Sequence, residues 1–159
     1  MGRTAPECII TQSLLDRLTD EDPGNRTDPP LTRAQSFRQF KTSLKRDLEW
    51  LLNTRRTPAP APESLRNLTR SLYNFGLPDI SALTTSSSRD RNRLQWLLEG
   101  AVNTFEPRIA GARVVMEAPA AGMRTLRFRI EGLMRIDPAP EHVTFDTVLE
   151  LTSGEYQVK

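Results

Sequence analysis

Glu106 and Arg108 stand two residues apart, with Pro107 between them, just past the last apolar residue of a helical pattern, Phe105. Proline fixes its own backbone angle and pushes the residue before it out of the helical region. A carboxylate and a guanidinium are therefore held in set directions on a stiff corner. Polar groups on such a corner fill a core poorly and suit docking, where a planar guanidinium can pair bidentately with a partner's acid. The pattern predicts a partner-binding site at Phe105, Glu106, Pro107 and Arg108. On that reading Arg108→Ala leaves the isolated fold nearly intact and weakens docking by about tenfold or more. The bland alternative is a solvated helix exit.

Other chemistry-bearing residues make weaker patterns. His142 is the one histidine and Cys8 the one cysteine, so neither an intramolecular disulfide nor a Cys/His metal cluster is expected. His142 sits at a strand start beside a turn, an unpromising place for the base of a nucleophile triad. Glu99 and Glu106 are about two helical turns apart, and Asp47 and Glu49 point to different helix faces. Neither makes the acid/base pair that glycoside hydrolysis needs. No glycine-rich phosphate loop is present. The reading is a non-enzyme without cofactor or metal. Arg124, Arg127 and Arg129 lie along one strand pattern and could meet phosphate, but too few aromatics accompany them for base stacking. Arg127 and Arg129 are placed instead among the partner-binding residues.

Two long helical patterns must carry the corner. Leu94, Leu97, Leu98, Ala101, Val102 and Phe105 make one apolar stripe, with Ser88 as a candidate N-cap and Pro107 as the stop. Phe37, Phe40, Leu44, Leu48, Leu51 and Leu52 make another, predicting a helix over residues 34–54 that opens on a Ser36/Gln39 capping box. Leu65, Leu68 and Leu72 suggest a shorter helix over 63–74, closed by Gly76 in a left-handed conformation and by Pro78. Leu14, Leu15 and Leu18, after a cap at Ser13, read as one or two turns. Residues 20–31 form a proline-rich tether, so the first turns could dock on this chain or on a neighbour. The division expected is a short helix and tether over 1–31 and a single domain over 32–159.

After Arg108 the apolar period changes from 3.6 to 2. Strands are predicted over 112–118, 123–131 and 143–151, with turns at 119–122 and 137–140. Gly132 reads as the mark of a bulge. The fold class expected is α+β, with N-terminal helices packed on one face of a small C-terminal antiparallel sheet. Three strands and a short tail leave at least one sheet edge open to strand addition.

The chain has 159 residues, enough for one domain with its own core. Its net charge is +2, carried by 22 basic against 20 acidic residues, and 19 of the basic residues are arginine. Arginine in that proportion suits interfaces, while so small a net charge argues weakly for nucleic acid. No signal-peptide pattern and no apolar run of about 20 residues is seen, so a cytoplasmic protein without membrane insertion is expected.

Four segments, SLLDRL at 13–18, RDLEWLLNTR at 46–55, YNFGLPD at 73–79 and FEPR at 105–108, occur in the order of one family. With the strands that follow, the chain resembles the TssE family of type VI secretion baseplate subunits. That family is similar to the small wedge protein of contractile-tailed phage baseplates. Phe75 departs from the pattern, where tyrosine is more usual, and loses a hydroxyl. The resemblance implies a structural role: docking to the TssF–TssG wedge and helping to seed the TssB–TssC sheath, beside other baseplate proteins at the inner-membrane secretion complex. It implies that Glu106-Pro107-Arg108 is the wedge-docking motif and that the sheet is a counterpart of the sheath's strand-exchanging domain. The family also carries an old lysozyme-related label, which leaves a peptidoglycan hydrolase as the alternative, with a nucleic-acid-binding domain behind it.

Overall fold

The computed structural model describes residues 10–19, 23–24, 31–59, 61–62, 64–84, 87–117 and 125–159. Cys8, Arg124, the turn at 119–122 and most of the tether lie outside them. The order is α1 (Leu14–Leu18), α2 (Arg33–Asn53), α3 (Arg66–Thr69), a 3-10 turn (Leu72–Asn74), α4 (Ser88–Phe105), then β1 (Ile109–Met116), β2 (Thr125–Met134), β3 (Glu141–Glu150) and β4 (Tyr156–Val158). The strands form one antiparallel meander in the order β1-β2-β3-β4. This is the α+β class expected, with a fourth strand where the sequence suggested only a tail.

The two long helices follow their apolar stripes. Phe40, Leu44, Leu48, Leu51 and Leu52 of α2 and Leu94, Leu98, Ala101 and Val102 of α4 are buried against the sheet. The sheet answers with alternate residues: Leu126, Phe128, Ile130 and Met134 from β2, Val143, Phe145 and Leu149 from β3. Its other face carries Arg127, Arg129, Thr144 and Asp146 in solvent.

Both predicted caps are displaced. The capping box of α2 is Thr32 with Gln35, one turn before the Ser36/Gln39 pair of the same spacing. Ser36 is fully buried and donates to the Ile10 carbonyl at 2.8 Å, so it anchors the N-terminal segment instead. The cap of α4 is Ser87 rather than Ser88. The helix expected over 63–74 breaks into α3 and the 3-10 turn. Leu65 and Leu72 are exposed, and a short helix without a face to bury has little to hold it.

The bulge lies across from Gly132 rather than on its strand. Ala110 faces Leu133 and Arg113 faces Glu131, so Gly111 and Ala112 together oppose Gly132. Gly111 has a positive φ of 61°, which takes up the extra residue. A Cβ on Gly132 would meet the Ile109 side chain at 2.4 Å.

The bulge turns the backbone of Ala112 outward, and Asn103 of α4 meets it there. Its amide donates to the Ala112 carbonyl at 2.9 Å and accepts from the Ala112 N–H at 3.0 Å. Glu99 accepts from the Val114 N–H at 2.8 Å. At the far side of the sheet Asn53 of α2 does the same for Tyr156, at 2.9 and 2.8 Å. Each edge strand is thus paired to a helix side chain as if to another strand.

β4 covers only Thr147 to Leu149 of β3, and the Lys159 N–H reaches Asp146. The backbone groups of Asp146 and Glu150 face β4. By the alternation of an antiparallel ladder those of Thr144 and His142 face the same way. Among the described residues no strand pairs with them.

Tyr156 leaves an unusual group inside. Its ring packs edge-on to Phe128, and its hydroxyl is buried with no partner among the described residues. Burial raises its pKa, since the phenolate would lie in an apolar site. A folded pKa above the unfolded value of about 10 means this stability is present below pH ~10 and is lost as pH rises further. Tyr156→Phe is expected to be neutral or to stabilise by up to about 1 kcal/mol at pH 7, because no hydrogen bond is lost. Urea unfolding of both proteins at pH 7 and 10.5 should show the gap widening at the higher pH. A loss above about 1 kcal/mol at pH 7 would mean that the hydroxyl has a partner.

Candidate functional site

The helix stop forms as the sequence dictates. The Glu106 N–H still bonds the Val102 carbonyl, but its φ of −116° and ψ of 80° have left the helical region ahead of Pro107. The chain then enters β1 at Ile109.

What the corner does with its charges differs from a free docking corner. Glu106 turns inward and is 5% exposed. Arg108 donates to both its oxygens, from Nε at 2.7 Å and from Nη2, and adds its backbone N–H at 3.2 Å. The same Nη2 reaches Asp47 on α2 at 2.7 Å, and the guanidinium lies 5.8 Å from the Phe40 ring centre. Burial alone would discourage the Arg108 charge. Glu106 first, then Asp47, outweigh it and hold the pKa above the ordinary arginine value. The pair clamps the end of α4 to α2, so the expectation that Arg108→Ala spares the isolated fold does not survive this geometry. Pro107 is exposed, and Phe105 is half-buried against Phe75, edge to face at 5.4 Å.

The row of charges continues beyond Asp47. Its other oxygen accepts from Arg46 Nε and Nη2 at 3.0 and 2.9 Å. Arg46 reaches Asp16 on α1 at 2.9 Å and lies 4.9 Å from the centre of the Trp50 ring. Burial would raise the Asp16 pKa, but the Ser13 and Ser43 hydroxyls and Arg46 together bring it below the usual carboxylate value.

The remaining segment joins from the other side. Leu77 pairs with Arg55 in a parallel bridge, its N–H on the Thr54 carbonyl at 2.8 Å. Arg55 and Asp79 face each other at 3.7 Å. Segments 13–18, 46–55, 73–79 and 105–108 are therefore linked to one another along the second half of α2: by Asp16–Arg46, by Asp47–Arg108, by Thr54–Leu77 and by Phe75–Phe105.

Arg127 and Arg129 lie elsewhere. Both are on the solvent face of the sheet, away from the helices, and Arg129 bonds Asp146 at 3.0 Å. The hydrogen bond and charge of Asp146 raise its pKa. The sequence reading missed Asp47, Arg46, Asp16, Asn53 and Asn103. Asp47 left one trace: it is three residues after Leu44 and four before Leu51, so it borders the buried stripe.

Among the described residues no group of three or more His, Cys, Asp or Glu side chains could hold a metal. No helix of theirs is long and apolar enough to cross a membrane. Fold and corner define a small α+β structural module whose chemistry-bearing side chains join its own segments together. The comparison with known families agrees with the resemblance in the sequence. Residues 38–139, well over half of the chain, match the family of the baseplate wedge protein gp25, and the chain belongs to that family. A search of the curated proteins found no match. The protein is thus a structural baseplate component of a contractile, phage-tail-like system.

Proposed function

We propose that this subunit works in a type VI secretion baseplate, docks to the TssF–TssG wedge through the corner at 105–108, and offers its sheet to the first TssB–TssC sheath strands. In this reading it acts in the cytoplasm, in a baseplate held at the inner-membrane secretion complex, alongside other baseplate proteins and without nucleic acid.

The observation that carries the docking half is the state of Arg108. Three of its guanidinium hydrogen bonds go to Glu106 and Asp47, while Nη1 is buried with no partner among the described residues. A buried donor left unpaired costs free energy, and a partner that opens the cover over Nη1 beside the exposed Pro107 and brings an acceptor would recover it. The sheath half rests on the open stretch of β3. The N–H and C=O groups of Thr144 and His142, which no strand among the described residues pairs, continue the line of β4, where a partner strand can add. Arg127 and Arg129 lie on β2, on the solvent face and one strand away, and are proposed to reach across β3 to the side chains of the added strand.

A hydrolase role finds no support in the corner. Both oxygens of Glu106 are engaged by Arg108, so Glu106 is not poised as a general acid.

Co-expression with the wedge pair, and separately with the sheath pair, tests both halves. The wedge pair is expected to co-purify with this chain. Backbone amide exchange at residues 141–146 is expected to slow by about tenfold or more when sheath protein is present. Unchanged exchange along β3 in a verified complex would remove the strand-addition reading, and a wedge that purifies without this chain would remove the docking one.

A further inference from the structure

Helix α1 is attached to the domain in an inverted sense. Its three leucines face solvent, Leu14 and Leu18 at 69% and 75% exposure, and the helix buries no residue. An amphipathic helix ordinarily does the reverse. Polar contacts hold the segment instead. Gln12 donates to the Ser36 carbonyl at 2.9 Å, Ser36 donates to the Ile10 carbonyl, and Asp16 pairs with Arg46. Ile10 is its one buried apolar side chain. Five residues of helix do not hold together alone. The helix of this segment therefore depends on those contacts.

The docked state reaches the corner through two side chains. Arg46 is gripped on three sides, by Asp16, by Asp47 and by the Trp50 ring. Asp47 divides its oxygens, Oδ1 to Arg46 and Oδ2 to Arg108. Signs alternate along the row Asp16, Arg46, Asp47, Arg108, Glu106, so each charge is attracted by its neighbours. Taking Asp16 away leaves Arg46 with one acid, and its whole charge then falls on Asp47. Asp47 is drawn toward Arg46 and loosens its hold on Arg108.

We propose that residues 10–18 form an intramolecular latch on the docking corner. Asp16, acting through Arg46 and Asp47, fixes the direction in which the Arg108 guanidinium is held, its buried Nη1 unpaired among the described residues. This rests on the corner being the docking site. A guanidinium already held in its bound direction loses less freedom on binding, so the docked latch raises affinity for the wedge. Linkage is reciprocal: a wedge bound at the corner tightens the latch by the same factor. Asp16, Arg46 and Asp47 are positioning residues in this arrangement, and Arg108 is the one that touches the partner.

The test begins on the full chain alone. The Arg108 Nε–H resonance in a nitrogen-15 spectrum is expected to shift in Asp16→Asn and to return toward its native position in Asp16→Glu. Leu18→Ala, which alters α1 without touching the row, should leave it in place. In binding titrations with the TssF–TssG pair, Asp16→Asn is expected to weaken affinity by about 3- to 30-fold, the range of mutations along a coupled network. In an Asp47→Asn background the same change should have no further effect, because the path is already cut. Amide exchange at residues 14–18 should slow when the wedge binds.

An unmoved Arg108 resonance in Asp16→Asn would overturn the latch. An equal loss of affinity with and without Asp47 would overturn it as well, and would show α1 touching the wedge directly. If Arg108→Lys and Asp16→Asn both bind as the native protein does, while the resonance still shifts, the row is coupled but the corner is not the docking site.

Discussion

Arg108→Ala is expected to lower the melting temperature of the isolated protein by about 10 °C. The size follows from what is left behind. Glu106 is 5% exposed, and without Arg108 its carboxylate keeps only weak partners in a site closed to water. Removing one member of a buried ion pair typically costs about 3–5 kcal/mol, and the lower end applies here because the Arg108 side chain keeps 20% of its exposure. At about 2–4 °C per kcal/mol for a domain of this size, 3 kcal/mol gives the shift stated. Arg108→Lys should recover part of it, since an ammonium cannot span both oxygens of Glu106 and also reach Asp47. A paired replacement, Glu106→Leu with Arg108→Met, should be less damaging than Arg108→Ala, because it leaves no unmatched charge. Calorimetric melts of the three variants check this. A shift below about 2 °C for Arg108→Ala would return the corner to a solvated helix exit, the pair then being worth under about 1 kcal/mol.

Gly76→Ala is expected to do comparable or greater damage at a site that carries no charge. Gly76 has a φ of 99°, and an added Cβ would stand 2.2 Å from the Thr54 carbonyl oxygen. The obstacle is backbone, and it is the same carbonyl that accepts the Leu77 N–H. Alanine must therefore both adopt a disfavoured angle, at about 1–3 kcal/mol, and part the contact between segments 54–56 and 76–77. A loss of about 3 kcal/mol or more in urea unfolding is expected, with faster amide exchange at Leu77 and Arg56. Gly154→Ala is the control: its φ is also positive, at 75°, but its Cβ would meet nothing within 4 Å. Equal losses at the two positions would mean that the angle alone matters.

What could be read in the sequence was what depends on neighbours along the chain. The stripes of α2 and α4 repeat over five turns or so, and Pro107 fixes where the second one stops. The alternation of Leu126, Phe128 and Ile130 likewise named the buried face of β2. Caps were harder, because Thr32/Gln35 and Ser36/Gln39 have the same spacing. Only the buried carbonyl of Ile10, which claims Ser36, decides between them. β4 spans three residues, too few for a period to show. The corner itself was legible as a pair, but its inward turn was not. That turn depends on Asp47, which lies 61 residues earlier in the chain. Nothing local to either residue announces the other.

The asparagine side chains at the two sheet edges set a valence. A meander open on both sides could pair with copies of itself into a ribbon of no fixed length. Asn103, with Glu99, fills bonding positions on β1, and Asn53 fills those of Tyr156 on β4. What stays unfilled, among the described residues, includes the part of β3 that β4 does not reach. A unit capped in this way offers a neighbouring strand fewer bare ladder positions than an uncapped meander would.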